Sequence, residues 1–270
     1  MSADADRLAR ALLDLQNLTE RLRRECPWDR AQTERTIVPH TVEEAYEVAD
    51  AVAAGDDAKL VDELGDLLFQ AFFLSLLLEE KGHGGLEEVA RRLHEKLVRR
   101  HPHVFLTSHQ PGSPEAVKKR WEELKTEQES REGIFHHVPE TLPALTEAKK
   151  VQRRAASVGF EYPDAADAFA DLADEVEELR HELPDRDPPP ETEPAARHIE
   201  EVGDVLFACV NVARRLNVDP ELALRAATRR FRERVEAAER LAAADGLRFA
   251  DLPLTDQDHF FDLAKEGGGR

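Results

Sequence analysis

The stretch TVEEAYEVADAVAAGDDAKLVDELGDLLF, residues 41–69, carries two pairs of acids in a run that reads at helical period. The first pair is Glu44 and Glu47, and the second pair, after fifteen residues, is Glu63 and Asp66. Residues three apart lie on one face of a helix, so each pair directs two carboxylates the same way. The pattern therefore predicts two helices that pack face to face and bring four carboxylates together.

The same arrangement recurs in the second half of the chain. Glu175 and Glu178 are three apart, and after twenty-two residues Glu201 and Asp204 follow. The second pair lies in the string EEVGDVLF, where the first half has DELGDLLF. A proline-rich loop at 184–194 accounts for the longer spacer. Because both halves repeat the same acids in the same order, the sequence predicts a duplicated helical unit.

Four carboxylates held together in a low-dielectric core repel one another and take up protons unless a cation is present. Oxygen ligands of this kind suit a hard divalent ion, Mg²⁺ or Mn²⁺. At Glu44 a simpler interpretation exists, because Thr41-x-x-Glu44 has the spacing of a capping box at a helix start. The position that matches Thr41 in the second half is Leu172, so the acids are duplicated and the cap is not. The repeat favours a metal site.

Nearly every segment has helical periodicity and none alternates like a half-buried strand, which predicts an all-α fold. Helices are predicted in the first half at 4–24, 42–53, 58–81 and 86–100, and in the second half at 142–158, 169–182, 198–216 and 221–240. We predict three segments: a first repeat at 1–110, a linker with a charged helix at 111–140, and a second repeat at 141–270.

The third helix of each repeat is apolar apart from one polar line. Lys59, Glu63, Asp66 and Gln70 form that line in the first repeat, and Arg197, Glu201, Asp204 and Asn211 form it in the second. Ionised groups on a buried helix are costly unless they are paired or bind metal. Salt bridges from Lys59 to Glu63 and from Arg197 to Glu201 explain one acid per repeat but leave each aspartate without an obvious partner.

The fourth helix of each repeat adds cations. Lys96 and Arg100 are four residues apart, as are Arg230 and Arg234, so each pair shares a helix face. Cations beside a cluster of carboxylates and metal suit a polyphosphate, which arginine grips with two parallel hydrogen bonds. Ordinary surface basicity is the alternative, because both helices carry further arginines.

Composition narrows the class of protein. The 270 residues carry a formal charge of -19, which argues against a nucleic-acid groove lined by clustered lysine and arginine. The most apolar run, Leu67 to Leu78, is shorter than a membrane span and is predicted to be a buried helix. Two cysteines, Cys26 and Cys209, offer no disulfide framework. An acidic N-terminus without an apolar core predicts no signal peptide and a cytoplasmic location.

Three strings in the first half, CPWD at 26–29, LGDLLF at 64–69 and RHPHVF at 100–105, resemble the MazG nucleoside triphosphate pyrophosphohydrolases. The resemblance extends over about residues 8 to 265, in the two-repeat form of that family. It implies an all-α fold of two tandem helical bundles, magnesium dependence, cleavage of NTPs and dNTPs to monophosphate and pyrophosphate, and a homodimer. Relatives of this form are regarded as catalysing mainly through the C-terminal repeat, but both carboxylate sets are complete in this sequence, which leaves the active repeat open.

The resemblance also implies a role for each site residue. Metal ligands would be Glu44, Glu47, Glu63 and Asp66 in the first repeat, and Glu175, Glu178, Glu201 and Asp204 in the second. Substrate contacts would be Lys59, Lys96, Arg100, Arg197, Arg230, Arg234, Trp28, Trp121, Phe261 and Lys265. A carboxylate that is not fully engaged with metal would act as general base, and Glu47 and Glu178 are the candidates. Phe261 stands where relatives have Trp, which leaves base stacking there in question.

Three alternatives stay open from the sequence. Glu178-x-x-His181 has the ligand spacing of di-iron helical bundles, although the matching residue of the first repeat is Asp50. A non-enzymatic scaffold would use the acids in salt bridges at an interface. In the third alternative, one repeat catalyses and the other is a regulatory nucleotide-binding unit.

Overall fold

The chain is described from a computed structural model, which covers residues 3–105, 133–135, 138–139, 141–184 and 192–267. It divides into two compact units, Met1–Gln128 and Glu129–Arg270. Within the described residues all regular structure is helical, which confirms the all-α prediction. The boundaries of a linker at 111–140 stay a prediction, and so does its charged helix, because most of that segment lies outside the described residues.

Unit 1 contains six described helices. They are α1 (Ala3–Glu25), α2 (Pro27–Ala31), α3 (Glu34–Ala54), α4 (Asp57–Glu80), α5 (Leu86–Arg100) and α6 (Pro102–Phe105). Helices α3 and α4 form the main packed pair, and α1 and α5 each pack on α4. Gly55 ends α3 in the left-handed region at φ 67°, which glycine adopts without strain, and the next residue caps α4.

Unit 2 repeats this order. Its described helices are α7 (Ala144–Ser157), α8 (Ala165–Glu182), α9 (Ala196–Arg215), α10 (Pro220–Ala244) and α11 (Leu254–Gly267), with a 3₁₀ turn at Phe249–Asp251. Helices α8 and α9 form the pair that matches α3 and α4, and α7 packs on α9 and α10. The His198 ring nitrogen Nε2 lies 2.8 Å from the Glu182 carbonyl oxygen, which ties the start of α9 to the end of α8.

Helix α3 begins eight residues before its predicted start at 42. Thr33 and Thr36 form a reciprocal capping box at its N-terminus, and Ile37 in its first turn is almost fully buried against Phe73. This burial holds the first turns of the helix together although Pro39 lies inside it. The prediction was wrong because proline usually marks a helix boundary. Thr41 lies mid-helix, so the capping-box interpretation of Glu44 is excluded.

Two small apolar cores anchor the units. In unit 1, Ile37, Phe73 and Leu77 cluster where α3 crosses α4. In unit 2, Ala238 and Ala242 of α10 are fully buried against Phe260 of α11. Alanine has a small side chain, so these two helices approach closely. Helix α11, which no sequence pattern singled out, is held by this contact.

The third helices α4 and α9 are less buried than predicted. Matching residues on the two helices stay exposed in the single chain, namely Val61, Leu64 and Leu68 on α4 and Ile199, Val202 and Leu206 on α9. Within the run from Leu67 to Leu78, Phe72, Phe73 and Leu77 are buried, but Leu68 and Leu78 near its ends are exposed. The periodicity was correct, but an apolar face does not show which surface covers it. Among the described helices, none is both long and apolar enough to cross a membrane.

Candidate functional site

In unit 1, three of the four predicted acids meet where α3 packs on α4. One oxygen each from Glu44, Glu47 and Glu63 lies within 4.8 Å of the others. Burial raises the pKa of Glu44 above its usual range, and the charges of Asp66, Glu47 and Glu63 raise it further. Burial likewise raises the pKa of Glu63, which also shares a hydrogen bond with Glu47. Such crowding favours either protonation or a bound cation.

Unit 2 builds the same cluster on α8 and α9. One oxygen each from Glu175, Glu178 and Glu201 lies within 4.8 Å of the others. Glu201 is only 2 % exposed, whereas Glu178 is exposed to solvent. Burial raises the pKa of Glu175, and the charges of Asp204 and Glu178 raise it further. The two halves of the chain thus form two acidic clusters of the same construction.

The fourth predicted acid of each cluster lies apart from the other three. Asp66 and Asp204 are one turn beyond the buried glutamates and are both exposed. Neither belongs to the close group of oxygens, although each is near enough for its charge to act on the first glutamate of its cluster. In the single chain they border the clusters.

The predicted salt bridges are present in both units. Lys59 Nζ lies 3.7 Å from Glu63 Oε1, and Arg197 Nη2 lies 2.8 Å from Glu201 Oε1. The second oxygen of Glu201, Oε2, is buried and has no described hydrogen-bond partner. A buried anionic oxygen without a partner is costly, because the charge has been taken out of water. The salt bridge therefore gives a partner to Oε1 only, and Oε2 is left available to a cation.

A basic pocket of about 640 Å³ lies between α10 and α11 in unit 2. Four cations line it, Arg230, Arg234, Arg240 and Lys265, together with one acid, Glu233. This excess of positive charge, on a chain with a net charge of -19, suits a polyanionic ligand. The structure thus brings three predicted substrate residues, Arg230, Arg234 and Lys265, to one pocket, and sequence reasoning missed Arg240.

Phe261, the fourth predicted residue of this region, is half-buried. Its ring packs against Phe231 with centroids 5.6 Å apart, and Lys265 Nζ lies 4.9 Å from the ring centre. A cation at this distance interacts favourably with the ring face. The Phe261 ring therefore already contacts Phe231 and Lys265, and it helps to hold the Lys265 side chain in place.

The remaining predicted contact residues of unit 1 are more dispersed. Lys96 is exposed and Arg100 half-buried near the end of α5. Trp28, about half exposed, packs edge-on against His40, with ring centroids 6.1 Å apart. Trp121 lies outside the described residues.

Sequence reasoning missed a largely buried ion pair and a hydrogen bond in unit 2. Arg214 donates two hydrogen bonds of 2.6 Å to the carboxylate of Glu161, which holds the pKa of Glu161 below its usual range. The Tyr162 hydroxyl donates to Asp171 at 2.6 Å. Asp171 is four residues before Glu175 on the same helix, and that spacing was the signal available in the sequence.

The di-iron alternative finds no support in this geometry. His181 is exposed and its ring nitrogen Nε2 lies 3.9 Å from Glu177, outside the cluster of Glu175, Glu178 and Glu201. Among the described residues, the two groups of potential metal ligands consist of glutamates alone. A set of carboxylates without histidine favours magnesium or manganese over iron.

Comparison with known proteins gives a consistent result. Residues 32–105 match the model of the MazG nucleotide pyrophosphohydrolase domain. The chain is 38 % identical over 258 residues to a Thermotoga maritima protein named nucleoside triphosphate pyrophosphohydrolase/pyrophosphatase MazG, and the match covers 94 % of this chain and 95 % of the relative. It is also 38 % identical over 243 residues to the nucleoside triphosphate pyrophosphohydrolase of Escherichia coli K12, covering 89 % and 90 % of the two chains.

A solved structure is also similar in part. The crystal structure of a mazG-related protein from Thermotoga maritima covers 42 % of this chain and 97 % of its own, at 31 % identity and a TM-score of 0.38.

Proposed function

The chain belongs to the MazG family, and from that premise we propose that it hydrolyses nucleoside triphosphates to the monophosphate and pyrophosphate. Two relatives that align over nearly their whole length carry the name of this activity. The observation in the structure that carries the proposal is the pair of matching glutamate clusters, one in each unit. An NTP substrate favours a cytoplasmic location. We also propose that the chain consists of two repeats, at 1–110 and 141–270, joined by a linker at 111–140.

Magnesium is the proposed cofactor, with manganese as a substitute. Glu44, Glu47 and Glu63 would hold it in unit 1, and Glu175, Glu178 and Glu201 in unit 2. The residues fit such an ion because the glutamates crowd together and because Glu201 Oε2 is buried without a partner. When bound, a divalent ion neutralises phosphate charge and activates water. Asp66 and Asp204, which are exposed beside the clusters, are the fourth proposed metal ligands of units 1 and 2.

The side chains of the clusters have different proposed tasks. Glu63 and Glu201 are buried and each is paired with a cation, so they are fixed in place. Glu178 is exposed, which leaves its carboxylate accessible to water, and we propose it as the general base of unit 2. Glu47 is its counterpart in unit 1, but it is half-buried and shares a hydrogen bond with Glu63.

Cations bind the polyphosphate in this proposal. Arg230, Arg234 and Lys265 line one pocket of unit 2 and would neutralise charge on the leaving pyrophosphate. Lys59 and Arg197 each sit beside a buried glutamate, which places a positive charge at the edge of each cluster. The proposed contacts of Lys96, Arg100, Trp28 and Trp121 with substrate in unit 1 rest on the family resemblance.

We also propose that two copies of the chain pair through α4 and α9. The exposed stripe of Val61, Leu64 and Leu68 on α4 has its counterpart at the matching positions of α9. A carbon added at Gly65 or Gly203, beside these stripes, would meet nothing within 4 Å. Open space next to an apolar stripe permits close approach of another helix, as in a homodimer.

Unit 2 is the proposed main catalyst, with unit 1 as a weaker or regulatory site. Among the described residues, two observations favour this order: a basic pocket with three proposed phosphate contacts lies in unit 2, and the buried carboxylate oxygen without a partner belongs to Glu201. The alternative in which both units catalyse equally remains an outcome of the test below.

The test is pyrophosphate release from each NTP and dNTP with magnesium, for the wild-type chain, Glu47→Gln, Glu178→Gln and the double variant. Each change removes one charge and nearly preserves shape. We expect pyrophosphate and monophosphate as products, an orders-of-magnitude loss of rate for Glu178→Gln, and most of the rate retained by Glu47→Gln.

Circular dichroism is the control for folding of each variant. Stepwise release of orthophosphate would contradict cleavage between the α and β phosphorus atoms. Partial rates for both single variants, with almost none for the double, would show that both units catalyse. A folded double variant with full activity would remove the glutamate clusters from the mechanism.

A further inference from the structure

Tyr162 and Asp171 connect the loop after α7 to the helix that carries the first glutamates of unit 2. The Tyr162 hydroxyl donates a hydrogen bond of 2.6 Å to Asp171 Oδ1. Asp171 is half-buried on α8, one helical turn before Glu175 and on the same side of the helix. The bond therefore holds a further carboxylate next to the cluster of Glu175, Glu178 and Glu201.

Unit 1 has a contact at the matching position with different chemistry. There the residue one turn before the first glutamate is His40, and the aromatic side chain that meets it is Trp28, which also comes from the segment before the helix. The duplicated chain thus uses this position twice to tie an aromatic side chain to the helix of the cluster. Only in unit 2 does the tie include a carboxylate, because Asp171 stands where unit 1 has His40.

The charge of Asp171 reaches Glu175. It is one of the neighbouring charges that raise the pKa of Glu175, after burial and the charges of Asp204 and Glu178. The hydrogen bond to Asp171 and burial raise the pKa of Tyr162 to about 12, so the hydroxyl keeps its proton near neutral pH and remains a donor. Tyr162 therefore acts on the cluster through Asp171.

We propose that Tyr162 is a positioning residue, which holds Asp171 beside the ligand glutamates as an additional negative charge that strengthens divalent-cation binding in unit 2. The proposal rests on the proposed function, since it assumes that this cluster binds a metal ion. Groups next to the ligands commonly tune metal affinity, and a fixed acid attracts the cation without occupying a coordination position. The tyrosine restrains the carboxylate so that it stays in that place.

The test measures Mn²⁺ binding to the full chain by calorimetry in a Glu44→Gln/Glu47→Gln background, so that unit 2 is observed alone. In this background we compare Asp171→Asn, Tyr162→Phe and the control Asp174→Asn. Asp174 is an exposed acid on the same helix and is not among the main charges that raise the pKa of Glu175. Its replacement therefore removes the same charge from a different position.

We expect Asp171→Asn to weaken Mn²⁺ binding by about tenfold, at the lower end of the usual effect of groups beside metal ligands. Tyr162→Phe should weaken it less, about threefold, because the charge stays but is no longer held in place. Asp174→Asn should leave the affinity unchanged. Raising the magnesium concentration should restore turnover of Asp171→Asn, because the loss lies in metal affinity.

Equal affinities for Asp171→Asn and Asp174→Asn would overturn the proposal, and so would a fall in melting temperature of Asp171→Asn without a change in affinity. Either result would reduce the pair to a structural tie. Failure of the proposed function looks different: the parent background would then bind no Mn²⁺, and adding Glu175→Gln/Glu178→Gln would change nothing.

Discussion

At the residue scale, two acids three positions apart on the same face of a helix differ in burial. Glu63 and Glu201 are buried on the side of α4 and α9 that faces the partner helix, whereas Asp66 and Asp204, one turn further on, are exposed. The acids of each cluster were predictable from their spacing, because three-residue steps define a helix face. The burial of one acid and the exposure of the next depend on the packed partner, which spacing does not show.

The raised pKa of Glu63 predicts a crossover in stability that depends on metal. A carboxyl whose folded pKa exceeds its unfolded pKa stabilises the fold fully below the unfolded value, and that contribution is lost as pH rises through the folded value. At neutral pH without metal, Glu63→Gln should therefore raise the melting temperature by a few degrees, because a neutral amide still donates to Glu47.

Saturating magnesium should reverse the order, because the wild-type chain then gains binding energy that the variant lacks. Differential scanning calorimetry at weakly acidic and neutral pH, with EDTA or magnesium, measures both effects. Asp62→Asn, at an exposed acid on the same helix, is the matched control and should show neither. If magnesium does not change the melting temperature of the wild-type chain, the result would instead support the non-enzymatic scaffold, in which the acids form salt bridges.

At the scale of elements, the periodicity of the sequence predicted the helices and their order. The ends of the helices depend on caps and local packing, which the sequence shows only in part. Helix α5 has the predicted bounds, since Gly85 precedes it and Pro102 follows it. Helix α3 begins earlier than predicted, because the Thr33 cap and the burial of Ile37 outweigh Pro39. Helix α11 went unpredicted because its buried face is completed by alanines of α10, which are distant in sequence from it.

Arg23 joins three elements of unit 1, and its loss should destabilise that unit. Its guanidinium donates two hydrogen bonds of 2.8 Å to Glu80 on α4 and three to backbone carbonyls, those of Asp29, Arg30 and Gln32. Arg23→Ala removes the donor of all five hydrogen bonds, and of these acceptors the Asp29 carbonyl still accepts from the Gln32 backbone N–H. We expect a loss of about 2–4 kcal/mol, seen as an earlier unfolding transition by calorimetry.

Arg21→Ala is the matched control for Arg23. Arg21 lies on the same helix and its ion pair with Glu25 is exposed, so its removal should leave the unfolding transition nearly unchanged. Similar transitions for both variants would mean that the contacts of Arg23 contribute nothing beyond a surface ion pair.

At the scale of the whole molecule, the duplication was visible in the acids of the sequence, whereas the exposure of apolar residues on α4 and α9 becomes visible only in the structure. The apolar side chains of α4 and α9 were predicted to be buried, and the single chain leaves matching stripes of them exposed. A chain with a formal charge of -19 resists nonspecific association by charge repulsion. An apolar stripe repeated at matching positions on such a chain indicates a specific contact surface.

The homodimer proposed for these stripes makes a prediction about mass. Replacing Leu64 and Val202 by Glu places a charge at the matching position of each stripe, where burial in an interface would be costly. Light scattering coupled to size exclusion should give twice the mass of one chain for the wild type and the mass of one chain for the double variant. Leu254→Glu is the control, because Leu254 is 71 % exposed at the start of α11 and a first-turn acid is compatible with a helix.

The control should keep the mass of the wild type. The double variant should also keep its helical circular dichroism, since both replaced side chains are already exposed in the single chain. If each unit forms its glutamate cluster without a second chain, the monomeric double variant should retain metal binding. If substrate contacts cross the interface, its pyrophosphate release should fall while metal binding persists. A double variant that stays dimeric would place the contact surface elsewhere and leave the stripes of α4 and α9 to another partner.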